Sequence, residues 1–247
     1  MPRAVRSALP PPLAEGASVK ASPATNRKGQ RLGAKGDRMR QSLMDATARL
    51  LATKPPWSIK VADIAAACGV RAPNFYAYFD SVAEVILALA EQATADRPDL
   101  ESLINAEWTS VNAYARARRL AELSVEYWEK HRPVLRVVDM LADDGDPEFL
   151  DARIRRTRPV VRAFRARIVA AQQAGRLSAS IDPRLCGYAM ASQIERWGYY
   201  WKLTLSSGIS RDQILDTLAT LFLSLVAGLN IYPDVSRDAL NTLESQR

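Results

Sequence analysis

Residues 58–79, which read SIKVADIAAACGVRAPNFYAYF, contain the pattern that most restricts how this chain can fold. The apolar residues of the first half recur at the spacing of one helix face: Val61, Ile64, Ala65 and Cys68. Gly69 follows them, and glycine readily adopts the left-handed backbone of a tight turn between two helices. Pro73 then suits the first turn of a second helix, where a missing N–H costs nothing. The stretch therefore predicts a helix-turn-helix.

The second helix of this pair has an apolar side and a polar side. Phe75 and Phe79 lie four residues apart and are expected on its inner face. The exposed side chains are expected to be Arg71, Ala72, Asn74, Tyr76, Ala77 and Tyr78. Because they are short or form hydrogen bonds, they suit a helix that lies in the major groove of DNA and contacts base edges.

Three short features make residues 37–95 resemble the DNA-binding domain of the TetR/AcrR family of bacterial regulators. They are the pair Ile64-Ala65, the pair Gly69-Val70 after a short helix, and the ending Tyr76-x-x-Phe79. The resemblance implies an all-α fold with an N-terminal three-helix helix-turn-helix domain and a C-terminal helical domain for ligand binding and dimerisation, about nine helices in all. It implies a homodimer that binds a double-stranded DNA operator and a small hydrophobic effector, without a cofactor.

The resemblance also indicates which residues contact DNA. The candidates in and before the helix-turn-helix are Lys60, Arg71, Ala72, Pro73, Asn74, Tyr76 and Tyr78. Two positions depart from the family pattern. Val82 stands where a phosphate-contacting lysine is usual, and Lys60 replaces the hydroxyl residue that caps the first helix of the pair. Ser58 is close enough in sequence to supply that cap.

The positive charge of the chain is concentrated at its N-terminus. The net charge is +7, and residues 1–40 hold nine basic and two acidic residues, so the rest of the chain is balanced. Residues 1–36 contain almost no large apolar side chains and are expected to form a disordered basic arm. The arm either contacts DNA phosphates or is a solvated tail. Its candidate contacts, with the start of the domain, are Arg31, Lys35, Arg38 and Arg40.

Residues 96–232 are expected to form the effector-binding and dimerisation domain, followed by a C-terminal tail at residues 233–247. No strand signal interrupts the helical pattern. Pro133 is expected to begin a short helix, and Trp57 to pack over the junction that precedes the helix-turn-helix. Helix starts are predicted at Asp146, at Asp182 and at a capping box formed by Ser210 and Gln213. Residues 217–233 carry no charge and favour burial against a second subunit over a membrane span.

Bulky apolar residues in this domain are candidates to line a lipophilic effector cavity, although each could equally belong to an ordinary core. They are Trp108, Trp128, Met140, Phe164, Met190, Ile194, Trp197 and Trp201. The helix at 151–168 is expected to bury Leu150, Ile154, Thr157, Val161, Phe164 and Ile168. Its outer faces would carry Arg153, Arg155, Arg156, Arg158, Arg162, Arg165 and Arg167. These arginines are either a solvated surface or a site for an anionic effector such as the phosphates of an acyl-CoA. Pro159 is expected to kink or split the helix.

Other function classes find little support in the sequence. Cys68 and Cys186 suggest neither a disulfide framework nor a zinc site, which fits the reducing cytoplasm. No secretory signal, Gly-rich phosphate loop, nucleophile elbow or His-Glu metal motif is present, so neither a metal nor catalysis is expected. Two alternatives remain. The body could serve dimerisation alone, or the chain could be a dimeric helical ligand-binding or interaction protein that does not bind DNA.

Overall fold

A computed structural model describes residues 33–235 of the chain. The described residues form nine α-helices and one 3₁₀ turn at Pro56–Ser58, without a β-sheet, which confirms the predicted all-α fold. The helices are α1 (Ala34–Thr53), α2 (Val61–Ala67), α3 (Ala72–Phe75), α4 (Val82–Ala95), α5 (Leu100–Asn105), α6 (Ala113–Asp143), α7 (Pro147–Gln173), α8 (Pro183–Leu205) and α9 (Arg211–Gly228).

The head comprises α1 to α4 and has an apolar core. Leu43 of α1, Ile64 of α2 and Phe75 of α3 are completely buried, and Val85 of α4 packs in the same cluster. The Ser81 hydroxyl caps α4 by accepting a hydrogen bond from the backbone N–H of Glu84 at 3.1 Å. The predicted helix-turn-helix is therefore held by apolar packing from both α1 and α4.

Helix α6 is longer than the sequence predicted. Pro133 was expected to begin a separate helix, but it lies inside one continuous helix of 31 residues, so that prediction was wrong. Proline removes one hydrogen bond from a helix interior and usually interrupts it. Here buried side chains on both sides, Trp128 before the proline and Val134 and Leu135 after it, anchor the two halves in the core. Tertiary packing outweighs the local signal.

Helix α7 begins at the predicted cap. The carboxylate of Asp146 accepts hydrogen bonds from the backbone at its N-terminus, and Gly175, with φ of 69°, terminates it. Pro159 does not split the helix. The predicted inner face is correct from Val161 onward. In the first half it was wrong, because the residues buried there are Phe149, Ala152, Arg156 and Val160.

Helix α8 approaches its neighbours at two glycines. A Cβ atom on Gly187 would lie 2.9 Å from the carbonyl oxygen of Val161 in α7. A Cβ atom on Gly198 would overlap the indole of Trp128 in α6. Glycine at these positions therefore permits close contact of α8 with both helices. The predicted caps at Asp182 and at Ser210 with Gln213 are confirmed at the starts of α8 and α9.

The head and the body share part of one core. The cluster that fills the head also contains residues of the C-terminal part of α6 and the first turns of α7: Val134, Val137, Val138, Ala142, Phe149 and Ala152. The end of α4 is fixed to α6, since Asp96 accepts hydrogen bonds from Lys130 at 2.6 Å and His131 at 2.7 Å. A movement of α6 or α7 would therefore act directly on the head.

Both ends of the described chain differ from the expected boundaries. Helix α1 begins at Ala34, so three residues assigned to the N-terminal arm are helical. Val235 is 1% exposed and packs in the core of the body, so the predicted C-terminal tail starts within that core. Residues 1–32 and 236–247, which include Arg31, lie outside the described residues. None of the helices in residues 33–235 is long and apolar enough to cross a membrane.

Candidate DNA-binding surface and effector cavity

The turn of the helix-turn-helix is formed by Gly69 and Val70. Gly69 has φ of 67°, a left-handed conformation that suits glycine, and the N–H of Val70 donates to the carbonyl of Ala65 at 3.0 Å. The second helix is shorter than predicted because α3 ends at Phe75. A turn follows, and the N–H of Phe79 still bonds to the carbonyl of Phe75, so both rings remain buried.

The DNA-binding candidates differ in how far they reach solvent. Those that are exposed are Lys35, Arg38, Lys60, Arg71, Pro73, Asn74 and Tyr76. Ala72 and Tyr78 are half-buried, and Tyr78 packs against the core of the head. The guanidinium of Arg40 lies 4.9 Å from the ring centre of Phe79 and contacts the sulfur of Met44, so it is held against the head. The exposed side chains around α3 thus come from a short segment that the buried Phe75 fixes in place.

Two expectations at the start of α2 were wrong. The Ser58 hydroxyl does not cap the helix but donates to the carbonyl of Pro55 at 2.8 Å. The carboxylate of Asp63 instead accepts a hydrogen bond from the backbone N–H of Lys60 at 2.9 Å. Trp57 does not pack over the junction, because 79% of its surface is exposed. The 3₁₀ turn directs this ring to solvent.

Arg156 was assigned to the outer face of α7, and that assignment was also wrong. Its side chain is 3% exposed, and its Nη2 lies 3.0 Å from Asp139 of α6 and 3.0 Å from Glu195 of α8. The guanidinium also lies 5.7 Å from the ring centre of Trp128. Burial alone would lower the pKa of Arg156, but the two carboxylates raise it above its ordinary value. Arg156 is therefore a charged group that links three helices inside the body.

Other arginines of α7 are also engaged within the chain. Arg153 pairs with Asp143 of α6 at 2.5 Å, and Arg155 pairs with Asp151 and lies 3.9 Å from Glu91 of α4. Arg167 donates to the backbone carbonyls of Ile104, Asn105 and Ala106 at the C-terminal end of α5. Arg162 and Arg165 remain exposed. The arginines of this helix therefore do not form one continuous phosphate-binding face.

Two cavities of the described body contain predicted effector residues, and neither contains more than two of them. A groove of about 270 Å³ is lined by Asn105, Glu107, Trp108, Arg167, Tyr232, Pro233 and Asp234. A cavity of about 10 Å³ is lined by Arg97, Pro98, Leu100, Ser124, Tyr127, Trp128, Val160, Ile194 and Glu195. Of the other candidates, Phe164 and Met190 are buried in the core, Trp201 in a separate cluster, and Trp197 and Met140 are half-buried.

The smaller cavity contains polar groups that no local sequence pattern marks. Tyr127 is 7% exposed, and its hydroxyl has no hydrogen-bond partner among residues 33–235. Burial raises the pKa of Tyr127, so its hydroxyl stays protonated. Arg97 pairs with Glu101 at 3.1 Å through Nη2, whereas its Nε and Nη1 have no partner in this range. Burial also raises the pKa of Glu195, and Arg156 opposes that shift.

An apolar surface runs along the outside of α8 and α9. Its exposed side chains are Leu185, Tyr188, Tyr200, Leu203 and Leu221. Such a surface is typical of a contact between proteins. Within the described chain, no group of three or more His, Cys, Asp or Glu side chains could hold a metal ion.

A helix-turn-helix head whose core continues into a larger helical body is an architecture of DNA-binding regulators. The chain belongs to the TetR family within that class. The family profile described as "Tetracyclin repressor-like, C-terminal domain" matches residues 100–229, and "Bacterial regulatory proteins, tetR family" matches residues 43–89. The predicted family is thereby confirmed. No curated protein matches the sequence significantly.

Solved structures of other regulators share the fold. The regulator FadR from Bacillus subtilis in complex with stearoyl-CoA has a TM-score of 0.56 and 15% identity, covering 76% of this chain and 98% of its own. A tetR-family regulator from Streptomyces coelicolor has a TM-score of 0.57 and 16% identity, covering 87% and 90%. AibR in complex with isovaleryl coenzyme A and operator DNA has a TM-score of 0.53 and 16% identity, covering 74% and 96%.

Proposed function

We propose that this transcriptional regulator is a homodimeric repressor that leaves a palindromic operator when a small hydrophobic effector enters its body. The observation that carries the proposal is the exposed set Arg71, Asn74 and Tyr76 beside a buried Phe75. Arginine and asparagine side chains can form bidentate hydrogen bonds with guanine and adenine. A dimer would place two such heads in successive major grooves, about 34–36 Å apart.

The second subunit would bind to the apolar surface of α8 and α9. Leu203 is 65% exposed and Leu221 57% exposed, and a group of exposed large apolar side chains is typical of an interaction site. In a two-fold contact the same patch on each copy meets its counterpart, so one charged substitution acts twice. Leu203→Glu is expected to produce monomers in light scattering, whereas Lys202→Glu, at an exposed charged position of the same helix, is the matched control.

The effector would be an acyl-CoA-like or otherwise hydrophobic molecule. Two structures of the same fold contain stearoyl-CoA and isovaleryl coenzyme A, which supports this class for the present chain. Arg97 and Pro98 line the smaller cavity and follow α4 directly in sequence. A molecule that enlarges this cavity would displace the end of α4 and change the position of the head. Release of DNA then requires only that the effector bind the displaced conformation more tightly.

Operator binding can be tested with the DNA upstream of the protein's own gene, by fluorescence anisotropy across a range of salt concentrations. Arg71→Ala is expected to weaken sequence-selective binding about tenfold or more, since a base contact contributes about 1–3 kcal/mol. Arg162→Ala removes an exposed arginine of the body and is the matched control. Equal affinity of the two variants would contradict the assignment of α3 to DNA.

The same assay tests the proposed arm. Because α1 begins at Ala34, a variant that starts at Gly33 keeps the head intact. If the arm contacts phosphates, this truncation lowers the salt dependence of binding as well as the affinity. An unchanged salt slope would assign the arm to solvent.

A body that serves dimerisation alone is a second candidate. The observation that favours it is the small volume, about 10 Å³, of the cavity beside α4. Thermal unfolding with stearoyl-CoA and isovaleryl-CoA distinguishes the two proposals. An effector-binding body gains stability in proportion to the logarithm of ligand concentration. Operator binding without any shift in unfolding temperature would support the dimerisation-only alternative.

A further inference from the structure

The hydrogen-bonding groups of the smaller cavity restrict the chemistry of any molecule bound there. The cavity is bounded by Leu100, Val160 and Ile194 on its apolar side. On its polar side, the groups without a partner among residues 33–235 are the hydroxyl of Tyr127, the indole Nε1 of Trp128, and the Nε and Nη1 of Arg97. The arginine and indole nitrogens can only donate, and the protonated phenol can donate as well. Glu195 also lines the cavity, but its carboxylate already accepts a hydrogen bond from Arg156. The lining groups that have no partner among the described residues are therefore donors.

The charges around this cavity do not favour an anion. Arg97 is paired with Glu101, and Arg156 is paired with both Asp139 and Glu195. Two guanidinium groups thus face three carboxylates, so no positive charge remains for a carboxylate or phosphate of a ligand. Bringing such an anion into this region would add repulsion and remove its hydration. An uncharged group with a strong acceptor oxygen is not repelled by these carboxylates, and removing its hydration costs less free energy than removing that of an anion.

We infer that the cavity among α6, α7 and α8 binds the neutral carbonyl group of the effector, with Tyr127 and Arg97 as hydrogen-bond donors. The inference rests on the proposed function and deepens it by naming the recognised group. Ketones, esters and thioesters share this chemistry, and free carboxylates do not. The alkyl part of the molecule lies along Leu100, Val160 and Ile194.

The present volume of the cavity is consistent with this role. About 10 Å³ is close to the space that one water molecule requires. A carbonyl oxygen fits that space, whereas the carbon chain attached to it must separate the surrounding helices. The chain would press on Arg97 and Pro98, which follow α4. Recognition of the carbonyl and displacement of α4 are then two results of the same binding event.

Isothermal titration calorimetry of the full chain with four probes tests the inference. The probes are 2-octanone, 2-methyl-1-octene, octanoate and octanoyl-CoA. The alkene has a methylene group in place of the carbonyl oxygen and nearly the same shape. We expect 2-octanone to bind at least about tenfold more tightly than both the alkene and octanoate, because a site with buried donors rejects ligands that leave them unpaired. Octanoyl-CoA shows whether a thioester is accepted as the carbonyl source.

Tyr127→Phe assigns the effect to this cavity. The substitution keeps the ring and removes a hydroxyl that has no partner, so folding is preserved. Affinity for 2-octanone is expected to fall about tenfold, and affinity for the alkene to stay unchanged. Ser192→Ala, which removes an exposed hydroxyl of α8 outside the apolar surface, is the control and should alter neither affinity. If Tyr127→Phe fails to fold, the comparison of probes on the wild-type protein still decides.

Three results would overturn the inference. They are a preference for octanoate, equal affinities for the ketone and the alkene, and a ketone preference that Tyr127→Phe leaves intact. Operator binding is measured separately, so the two proposals can fail independently. Loss of operator binding in all conditions would refute the repressor, while a ketone preference in calorimetry would still establish the carbonyl site.

Discussion

Replacing Arg156 with methionine tests how the interior of the body is held together. Methionine fills much of the volume of the arginine side chain but carries no charge. The change leaves Asp139 and Glu195 without the cation that joins them. Removing one partner of a buried ion pair is costly because the remaining charge has lost its hydration and its partner. We expect Arg156→Met to lower the free energy of unfolding.

The structure sets the size of the effect. Arg156 forms two charge-assisted hydrogen bonds of 3.0 Å, and each such bond contributes about 1.5–3 kcal/mol. Two terms reduce the loss. Its Nε and Nη1 have no partner among the described residues, and the carboxylates of Asp139 and Glu195 keep 28% and 26% of their exposure. We therefore expect about 3 kcal/mol, the lower end of the range for breaking a buried pair.

Urea unfolding followed by circular dichroism measures this quantity. In a chain of this length, a loss of about 3 kcal/mol corresponds to a fall in Tm of about 6–12 °C. Arg162→Met is the matched control, because Arg162 is exposed on the same helix, and its effect should stay within about 0.5 kcal/mol. Adding Glu195→Gln to Arg156→Met removes one unpaired carboxylate charge and should raise the free energy of unfolding by about 1–2 kcal/mol relative to Arg156→Met alone.

Two outcomes would refute the reasoning. If Arg156→Met is as stable as Arg162→Met, the buried guanidinium contributes nothing beyond its packing. If the added Glu195→Gln substitution lowers stability further, an unpaired carboxylate is not the cause of the loss. Either result would remove the ionic link among α6, α7 and α8 from the account of the body.

Three further perturbations have defined outcomes. Gly198→Ala would bring a Cβ atom within 2.7 Å of the Cβ of Trp128, so the free energy of unfolding should fall by about 1–3 kcal/mol. The control is Ser192→Ala at an exposed site of α8, which should leave the free energy of unfolding nearly unchanged. Equal stability of the two variants would mean that α8 moves away from α6 freely. Trp57→Ala should change stability by less than about 0.5 kcal/mol in thermal unfolding, because the ring is 79% exposed, and a larger loss would indicate that it packs. Hydrogen bonds from Lys130 and His131 lower the pKa of Asp96 in the folded protein. Ionised Asp96 therefore stabilises the fold when the pH is above its unfolded pKa of about 3.9. This stabilisation is lost as the pH falls through the lower pKa of the folded protein. The stability difference between wild type and Asp96→Asn should accordingly be present at pH 7 and vanish in acid; a difference that persists in acid would not be electrostatic.

Much of the fold could be predicted because it depends on interactions between residues that are close in sequence. The side chains of Asp146 and Asp182 accept hydrogen bonds from backbone N–H groups at helix starts, and Gly69 has the positive φ that its turn requires. These signals act within a few residues, so they are readable from the sequence alone.

Long-range contacts explain what the sequence did not indicate. Arg156 is separated from Asp139 by 17 residues and from Glu195 by 39, so no local pattern marks it as buried. The hydroxyl of Tyr127 and the guanidinium of Arg97 meet at one cavity only after α5, α6, α7 and α8 have packed. Pro133 carries a strong local signal that packing on both sides overrides. The positions of exposed DNA-binding candidates followed from the pattern, but their contacts with DNA stay a prediction.

The unequal burial of the tryptophans gives the protein two separate optical reporters. Trp57 in the head is 79% exposed, whereas Trp108, Trp128 and Trp201 in the body are at most 4% exposed. An aqueous quencher such as iodide will therefore reach the head indole first, while blue-shifted emission comes from the body. Replacing Trp57 with phenylalanine isolates the body signal, and the difference between the two spectra isolates the head. Events in the body and at the DNA can thus be followed in one unlabelled sample.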